Sequence, residues 1–263
     1  EEEIAGYRDV LSAIHESHDY IPVTPNVILQ LHRDLFRHTP LTFAGHFKDS
    51  DNVIIERDAH GTSTVRFAPP SALVTPELIE RACSAYTQAI RDEHTDPLLA
   101  IAMFILDFTC IHPFNDGNGR MSRLLTTLLL YRAGYVIGRY ISLESKIAQN
   151  KDLYYAALEQ CQTGWHENQE DPTPFIKYLL RIILAAYRDF EERIDIVGGR
   201  QNAVAIVRRA VSGRIGKFTK SELLELCPTI SRTSVEGALR QLVKEGVIIR
   251  HGSGRATFYT RND

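Results

Sequence analysis

The chain has 263 residues, 44% of them hydrophobic, and a formal net charge of −3 at pH 7. A chain of this length and composition buries a substantial core and has room for two domains, which excludes a disordered protein. Its four cysteines lie far apart at 83, 110, 161 and 227, so zinc or dithiol chemistry is not expected, and reduced thiols favour a cytoplasmic location. No signal-peptide pattern or membrane-spanning run is found, and we expect no membrane contact.

The charge is distributed unevenly along the chain. Residues 199–263 contain 12 Lys and Arg against 5 Asp and Glu, a net charge of +7, which leaves −10 for residues 1–198. Such asymmetry is typical of a domain boundary. We place it near Val197–Arg200, which predicts one domain over 1–197 and a second over 198–263.

The first predicted elements are a helix and a hairpin. The helix begins near Glu1 and runs to about Ile14; because the chain starts without a methionine, we expect that it was trimmed or processed. Two β-prone runs on either side of Asp58–Gly61 predict a hairpin over about 52–67, for which an inert surface hairpin is the alternative. The first run consists of Asn52, Val53, Ile54 and Ile55, and the second is 64–67.

Two apolar helices are predicted next, with a polar turn between them. Leu98–Ile111 contains only two polar residues, so this helix should be buried almost all round. Pro113 should end it near His112. The second helix, Met121–Ala133, has leucines at helical spacing, and Gly134 follows as a C-terminal cap.

The polar turn has the composition of an anion site. Gly117 and Gly119 lie at a helix entrance, where unpaired N–H groups and the helix dipole attract an anion. Arg120 and Arg123 share one face of the first turn, where the dipole disfavours each cation by about 0.3–1 kcal/mol. Their placement therefore indicates a bound polyanion.

Two further side chains of the turn have the chemistry of phosphate transfer. Asp116 would repel a phosphate unless a divalent cation such as magnesium bridged the two. His112 is suited to remove a proton from an attacking hydroxyl. The alternative is a capping turn whose arginines form surface ion pairs, as expected for an isolated Asn-Gly pair.

The full run 112–123 resembles, position by position, the signature His-x-Phe-x-Asp/Glu-Gly-Asn-Gly-Arg-x-x-Arg of the Fic (filamentation induced by cAMP) family. The resemblance implies transfer of AMP from ATP to a Ser, Thr or Tyr hydroxyl of a target protein, with release of pyrophosphate. The implied roles are His112 as general base, Asp116 as the Mg²⁺ ligand, Gly117, Asn118 and Gly119 as the anion hole, and Arg120 and Arg123 as contacts of the β- and γ-phosphates.

Two other segments resemble parts of Fic proteins. The hairpin 52–67 matches the position of the family's flap, which binds the target backbone by strand addition. Many members have an Arg before the flap where this chain has Lys48. The segment 150–158 resembles the Tyr-Tyr helix of the adenine pocket, and the resemblance implies adenine contacts by Tyr154, Tyr155 and Gln162, although paired tyrosines are more often core residues.

The C-terminal segment resembles a winged helix-turn-helix. It follows a long helix from Thr173 to Arg193, and Arg232 and Arg240 would be exposed on its recognition helix, with Arg250 and Arg255 on the wing. Such a domain either grips DNA or serves protein contacts or packing, and both alternatives stay open. The predicted elements are helices Ala203–Ser212, Lys220–Leu226 and Thr233–Glu245 and strands Val247–Arg250 and Thr257–Tyr259.

These observations predict a mainly α protein: a Fic-type helical bundle with a small β-hairpin flap, plus a C-terminal winged helix-turn-helix domain. We expect a cytoplasmic protein adenylyltransferase that uses Mg²⁺ and ATP and acts on a target protein; a homo-oligomer and weak DNA binding are left open. The alternatives are another nucleotidyl or phosphoryl transfer, removal of AMP, or a DNA-binding regulator that senses nucleotide. Gly119 argues against the family's kinase-like branch, whose loop resembles Ala-Asn-Lys-Arg.

Many Fic enzymes carry an inhibitory helix with the pattern Ser/Thr-x-x-x-Glu-Gly/Asn, whose glutamate pairs with the second arginine of the motif, here Arg123. The nearest match, Ser12–Glu16, is followed by Ser17 where the pattern requires Gly or Asn. We therefore expect Arg123 to be available to ATP. An inhibitory helix upstream of Glu1 is left open.

Overall fold

A computed structural model of the chain describes residues 2–57, 63–92, 94–197, 203–212, 216–228 and 230–262. The chain divides into two compact units, Glu1–Phe190 and Glu191–Asp263, and each has its own cluster of buried apolar side chains. The division into domains at 197/198 stays a prediction. Within the described ranges, none of the helices combines the length and apolar composition that a membrane span requires.

The first unit is built mainly from α-helices. The third helix packs against the fourth, the fourth against the fifth, and the first against both the second and the fifth. The helices are α1 (Glu2–Ser17), α2 (Pro25–Leu35), α3 (Thr75–Arg91), α4 (Pro97–Ile111), α5 (Asn118–Arg132), α6 (Leu143–Gln149), α7 (Lys151–Gln162) and α8 (Thr173–Val197). The residues of α8 after Phe190 belong to the second unit.

The helices α4 and α5 lie at the centre of this core, as their apolar sequences predict. Both carry side chains with no exposed surface, among them Leu106 and Phe108 on α4 and Leu128 on α5. The predicted bounds of α4 agree with the structure to within one residue. However, α5 begins at Asn118 rather than at Met121, because the N-terminal turn of the helix already includes part of the polar motif.

The predicted hairpin is present but is shorter than the sequence suggested. Its strands, β1 (Ile54–Arg57) and β2 (Ser63–Phe67), are antiparallel, with Ile55 paired to Val65. The expectation that the first strand starts at Asn52 was wrong, and Val53 also precedes it. The side chain of Asn52 hydrogen bonds to the motif turn instead. The predicted connection 58–61 lies outside the described residues.

The second unit contains helices and an antiparallel pair of strands around its own core. The last helix of the unit packs against its first helix. Phe218 forms an isolated antiparallel β-bridge with Tyr259 of the last strand. The bounds agree with the predicted elements to within three residues, but their identification as a winged helix stays a prediction. The elements are α9 (Ala203–Ser212), α10 (Lys220–Leu226), α11 (Arg232–Lys244), β3 (Ile248–His251) and β4 (Phe258–Arg261).

Candidate active site

The structure gathers the predicted phosphate-site residues around one cavity of about 300 Å³. The cavity lies where α4 ends and α5 begins, and its lining comes from the connecting turn and the first residues of α5. This arrangement follows from the sequence, because the residues belong to one short turn. The cavity is lined by His112, Asn115, Asp116, Gly117, Asn118, Gly119, Arg120 and Arg123.

His112 follows the last residue of α4 and has a left-handed backbone conformation, with φ 50° and ψ 62°. For a residue other than glycine this conformation costs roughly 1–2 kcal/mol, so the surrounding structure must hold it. The backbone N–H of His112 donates to the carbonyl oxygen of Phe108 at 3.0 Å. The conformation turns the chain out of the helix and into the cavity.

The imidazole of His112 is neutral at physiological pH. Burial lowers its pKa from 6.5 to about 4; the charges of Lys48 and Arg66 act in the same direction, and Asp116 acts against them. The Nδ1 atom is buried, and a hydrogen bond between His112 and the backbone of Thr109 acts against the lowering of the pKa. A neutral ring retains a lone pair, which a general base needs in order to accept a proton.

Arg120 is held by two carboxylates and an aromatic ring. Its Nη2 donates to Oδ2 of Asp116 at 3.1 Å, and its Nη1 donates to Oε2 of Glu3 at 2.6 Å. Its guanidinium lies 4.7 Å from the centroid of the Phe36 ring. The contact with Glu3 connects α1 to the cavity. A bound phosphate would compete with both carboxylates for Arg120.

Arg123 lies next to the turn. A Cβ atom placed on Gly119 would be 3.5 Å from Nη1 of Arg123. The hydroxyl of Tyr7 on α1 donates to Glu144. Burial raises the pKa of Tyr7, and the charge of Arg123 acts in the opposite direction. Glu16, the nearest candidate for an inhibitory glutamate, is exposed and accepts a hydrogen bond from Ser12.

The turn itself depends on glycine at position 117. Gly117 has a φ of 84°, and a Cβ atom there would lie only 2.9 Å from Cε2 of Phe36. The first hydrogen bond of α5 runs from Met121 N to Gly117 O at 2.8 Å. The backbone N–H groups of residues 118–120 precede this bond, and a helix leaves such groups without an intrahelical acceptor. A helix end of this kind can bind an anion.

Asn118 braces the turn with its side chain. The side chain is 5% exposed; its Oδ1 accepts from Phe114 N at 2.9 Å, and its Nδ2 donates to Phe114 O at 2.7 Å. Both polar atoms of the amide are therefore engaged inside the protein. Of the Asn118 contacts expected for the anion hole, only the backbone N–H is left.

Among the described residues that line the cavity, Asp116 is the one carboxylate that could bind a metal ion. Its side chain is 57% exposed, and the described residues contain no cluster of three or more His, Cys, Asp or Glu that could hold a metal ion. Magnesium is usually bound by one or two carboxylates together with substrate phosphates and water. The donor set fits an ion that is shared with a nucleotide.

The predicted adenine contacts do not border the cavity, and the two tyrosines have different surroundings. Tyr154 packs against the rings of Phe175 and Tyr178, and burial raises its pKa. Tyr155 is 41% exposed, and the guanidinium carbon of Arg66 lies 5.0 Å from its ring centroid. Tyr154 thus has the core position that paired tyrosines often have. The adenine pocket stays a prediction.

Gln162, the third predicted adenine contact, is almost fully buried. It is 6% exposed, and neither its amide oxygen nor its amide nitrogen has a hydrogen-bond partner in the described ranges. A buried amide without partners is costly, by about 1–3 kcal/mol. Both polar atoms are buried, and the contact of Gln162 with adenine stays a prediction.

His32 on α2 is the site residue that sequence reasoning missed. It has no exposed surface, and its ring stacks on Phe114 with centroids 3.7 Å apart and an interplanar angle of 1°. Its Nδ1 accepts from Gly45 N at 3.0 Å, and its Nε2 lies 3.0 Å from Asp116 O. Since the first partner only donates and the second only accepts, the neutral tautomer with a proton on Nε2 satisfies both.

The sequence did contain a signal for His32. The residue belongs to the buried side of α2 together with Ile28, Leu31 and Leu35. A histidine in such an apolar stripe needs buried hydrogen-bond partners. Burial lowers its pKa to about 4, so the ring stays neutral. The periodicity reveals that partners are required but not which element supplies them.

The fold and the cavity define a mainly helical protein with a polar cavity where two core helices meet. Residues 22–130 match the model of the Fic/DOC family. The chain thus resembles this family over a segment that includes the whole run 112–123, as the motif predicted. It is 27% identical over 164 residues to "Protein adenylyltransferase Fic" of Nematostella vectensis, a match that covers 60% of this chain and 32% of the relative.

A second relative aligns with this chain over a similar number of residues. A Fido domain-containing protein of Dictyostelium discoideum is 28% identical over 151 residues, which is 56% of this chain and 96% of that protein. By contrast, the matches cover only 32% and 28% of the adenylyltransferase relatives from Nematostella vectensis and Caenorhabditis elegans. The chain thus corresponds to less than a third of those proteins.

Solved structures support the fold. A Fic family protein from Desulfovibrio desulfuricans G20 aligns with a TM-score of 0.57 and 23% identity over 98% of this chain and 74% of that one. A Fic domain-containing signaling protein from Bacteroides thetaiotaomicron aligns with a TM-score of 0.54 and 26% identity over 70% of each chain. The expected Fic-type helical fold is confirmed.

Proposed function

We propose that the chain transfers AMP from ATP to a hydroxyl group of a target protein. The observation that carries this proposal is the position of a neutral, buried histidine, His112, at the same cavity as Arg120, Arg123 and the N-terminal amides of α5. Relatives named protein adenylyltransferase support the same reaction. A base beside a polyanion site is the minimum that such a transfer needs.

The reaction would begin with proton removal. His112 accepts the proton of the target hydroxyl while the hydroxyl oxygen forms a bond to the α-phosphorus of ATP. The bond from the α-phosphorus to the oxygen that bridges to the β-phosphate breaks, and pyrophosphate leaves with that electron pair. Arg120, Arg123 and the amides of residues 118–120 stabilise the negative charge of the transferred and leaving groups.

Magnesium would be held by Asp116 together with the phosphates. The bound ion would neutralise phosphate charge and hold the leaving group in place. In the protein alone, Asp116 accepts hydrogen bonds from Gly117 N at 2.5 Å and from Arg120 at 3.1 Å. Binding of a metal nucleotide therefore exchanges the contact with Arg120 for two attractions, one between the carboxylate and the cation and one between the guanidinium and a phosphate.

The target would bind along the hairpin. A two-stranded sheet has open edges, and a peptide that adds as a further strand gains backbone hydrogen bonds without a required sequence. Val53, Ile55 and Val65 are 51%, 54% and 62% exposed, so apolar surface is offered next to the backbone. We place the target here, with Tyr155 and Gln162 as contacts of the adenine base.

The four cysteines are free and buried, which supports a cytoplasmic location.

Labelled ATP tests the proposal. The full chain is incubated with Mg²⁺, a cell lysate and ATP labelled either at the α- or at the γ-phosphate. Protein labelling from the α-label alone is the expected result. Labelling from the γ-label would support phosphoryl transfer, and release of AMP from previously labelled protein would support removal of AMP. A matched control is His94→Ala, which alters an exposed histidine and should leave labelling unchanged.

A further inference from the structure

The segment just before the hairpin hydrogen bonds to the backbone on both sides of His112. The Nζ of Lys48 donates to the carbonyl oxygen of Ile111 at 3.1 Å, and the backbone N–H of Lys48 donates to that of Pro113 at 2.8 Å. The Nδ2 of Asn52 donates to the carbonyl oxygen of Phe114 at 3.3 Å. Three carbonyl groups around His112 are thus held by a segment about 60 residues earlier in the chain.

The two side chains act as a unit. The Nζ of Lys48 also donates to Oδ1 of Asn52 at 3.0 Å. Asn52 therefore accepts from Lys48 with its oxygen and donates to the motif turn with its nitrogen. We call this pair, Lys48 and Asn52, the clamp.

Burial of Lys48 needs a reason. The residue is 3% exposed, and an ammonium group is rarely buried without a carboxylate partner. Among the described residues, Lys48 has no ion pair; its charge is satisfied by carbonyl and amide oxygens. Burial lowers its pKa to about 8, and Asp51 opposes the shift. A long cation is kept at this position although its desolvation is unfavourable.

The end of α4 explains what the cation does there. Ile111 is the last residue of the helix, and the last carbonyls of a helix lack intrahelical donors. A positive charge at a helix C-terminus is also favoured by the helix dipole. The next residue, His112, has the left-handed conformation that the surrounding structure must hold. The Lys48 ammonium satisfies the carbonyl that directly precedes it.

We infer that Lys48, fastened by Asn52, is a positioning residue for His112 and holds the imidazole toward the cavity that this residue lines. The inference rests on the proposed function only in giving His112 the role of general base. Lys48 itself touches backbone carbonyls and Asn52, and is not placed in contact with substrate. We therefore do not assign Lys48 as a residue that binds phosphate or the target protein.

The effect of the Lys48 charge on the pKa of His112 can be measured. Lys48 and Arg66 disfavour the protonated ring, and Asp116 favours it. Removal of Lys48 leaves Arg66 and the burial of the ring in place. We therefore expect loss of the Lys48 charge to move the pKa of His112 upward by about one unit.

The test compares Lys48→Met, Lys48→Arg and the surface control Lys177→Met in the full chain. With Lys48→Met we expect kcat for AMP transfer to fall by about 10²-fold and KM for ATP to change less than about threefold. The acid limb of the pH profile of kcat should move to higher pH. Lys48→Arg should restore part of kcat. Lys177→Met, at an exposed position, should match the unmodified chain.

Three outcomes would overturn the inference. A rise of KM for ATP with unchanged kcat would make Lys48 a substrate contact. A loss of kcat with an unchanged pH profile would make it a purely structural residue. Additive effects of Lys48→Met and Asn52→Ala would contradict the clamp, because residues that act as a unit are coupled.

Failure of the proposed function would be recognised separately. If the unmodified chain transfers no nucleotide, the ring of His112 can still be titrated by NMR in the unmodified chain and in Lys48→Met. An upward shift of the His112 pKa in the variant supports the positioning role without any activity. Equal pKa values in the two proteins, with both folded, would refute it.

Discussion

The two units differ in what happens to their charged side chains. In the first unit, Arg120 and Arg123 converge on a cavity with His112, although residues 1–198 carry a net charge of −10. In the second unit, the basic residues include several that pair with acids of the same unit. Arg208 pairs with Glu245, and Lys220 and Arg232 lie 2.8 and 3.3 Å from Glu236.

This difference teaches that local arrangement, and not net charge, marks the functional site. Exposed ion pairs on a helix surface contribute at most about 1 kcal/mol each and define no pocket. Charged groups at a helix N-terminus beside a buried base converge on one volume, where a ligand meets all of them. The following predictions measure how far this contrast holds.

The largest effect should come from His112→Ala. A positioned base contributes about 10²–10⁴-fold in rate, so labelling from α-labelled ATP should fall by that factor while ATP binding persists. The double variant Arg232→Ala and Arg240→Ala in the second unit should leave the rate unchanged. Full labelling by His112→Ala would remove the histidine from the mechanism.

Loss of Asp116 should be next in size. Asp116→Ala should abolish the magnesium dependence of ATP binding, because Asp116 is the one carboxylate among the described residues that line the cavity. Arg120→Ala should weaken transition-state stabilisation by about 2.7–4 kcal/mol, as for other charge-stabilising donors. Calorimetry with and without Mg²⁺ checks the first claim and single-turnover rates the second. Magnesium-dependent binding that persists in Asp116→Ala would contradict the metal assignment.

The buried histidine on α2 should make the stability of the protein depend on pH. The pKa of His32 is about 4 in the folded chain and about 6.5 when exposed. Below pH 6.5 the unfolded chain binds the proton first, so the free energy of unfolding falls as the pH falls from 6.5 to 4. The contribution of His32 is about 2–3 kcal/mol over this window.

Two variants isolate that contribution. His32→Gln should reduce the pH dependence of the urea midpoint, to which His112 with its own lowered pKa also contributes, and His94→Ala, at an exposed histidine, should not. His32→Phe would also leave Gly45 N and Asp116 O unsatisfied, at about 1–3 kcal/mol each. An unchanged slope in His32→Gln would show that the ring is not kept neutral by the fold.

A smaller effect is expected from the contact between α1 and the cavity. Glu3 is 52% exposed, and its pair with Arg120 contributes at most about 1 kcal/mol. Glu3→Gln should therefore tighten ATP binding by no more than about fivefold, since Arg120 no longer has to leave a carboxylate. Glu2→Gln is the matched control. Weaker ATP binding in Glu3→Gln would show that the pair orders the site rather than competing with phosphate.

The smallest effect should be in the second unit. Its net charge predicts weak, salt-sensitive binding of any DNA. Selection of duplexes with the full chain should yield no sequence preferred by about 10³-fold over random DNA. Changing Arg232, Arg240 and Arg250 to Ala should reduce binding of all duplexes alike. A selected duplex above that ratio would favour the DNA-binding regulator over the enzyme.

The sequence by itself determined the local features of this protein. The helices α4 and α5 follow from apolar runs, and the turn 112–123 is contiguous, so its residues must share one place. The resemblance to the Fic family follows from the same twelve positions. Hydrogen bonds within helices and turns join near neighbours, which is why short-range patterns specify them.

Only the tertiary structure decided which distant groups complete the site. His32 bonds to a residue 84 positions away, Lys48 to one 63 positions away, and Glu3 to one 117 positions away. Periodicity shows which side of a helix is buried but not which element covers it. That choice depends on how all the apolar surfaces pack together, so the buried partners of the motif could not be deduced from any segment alone.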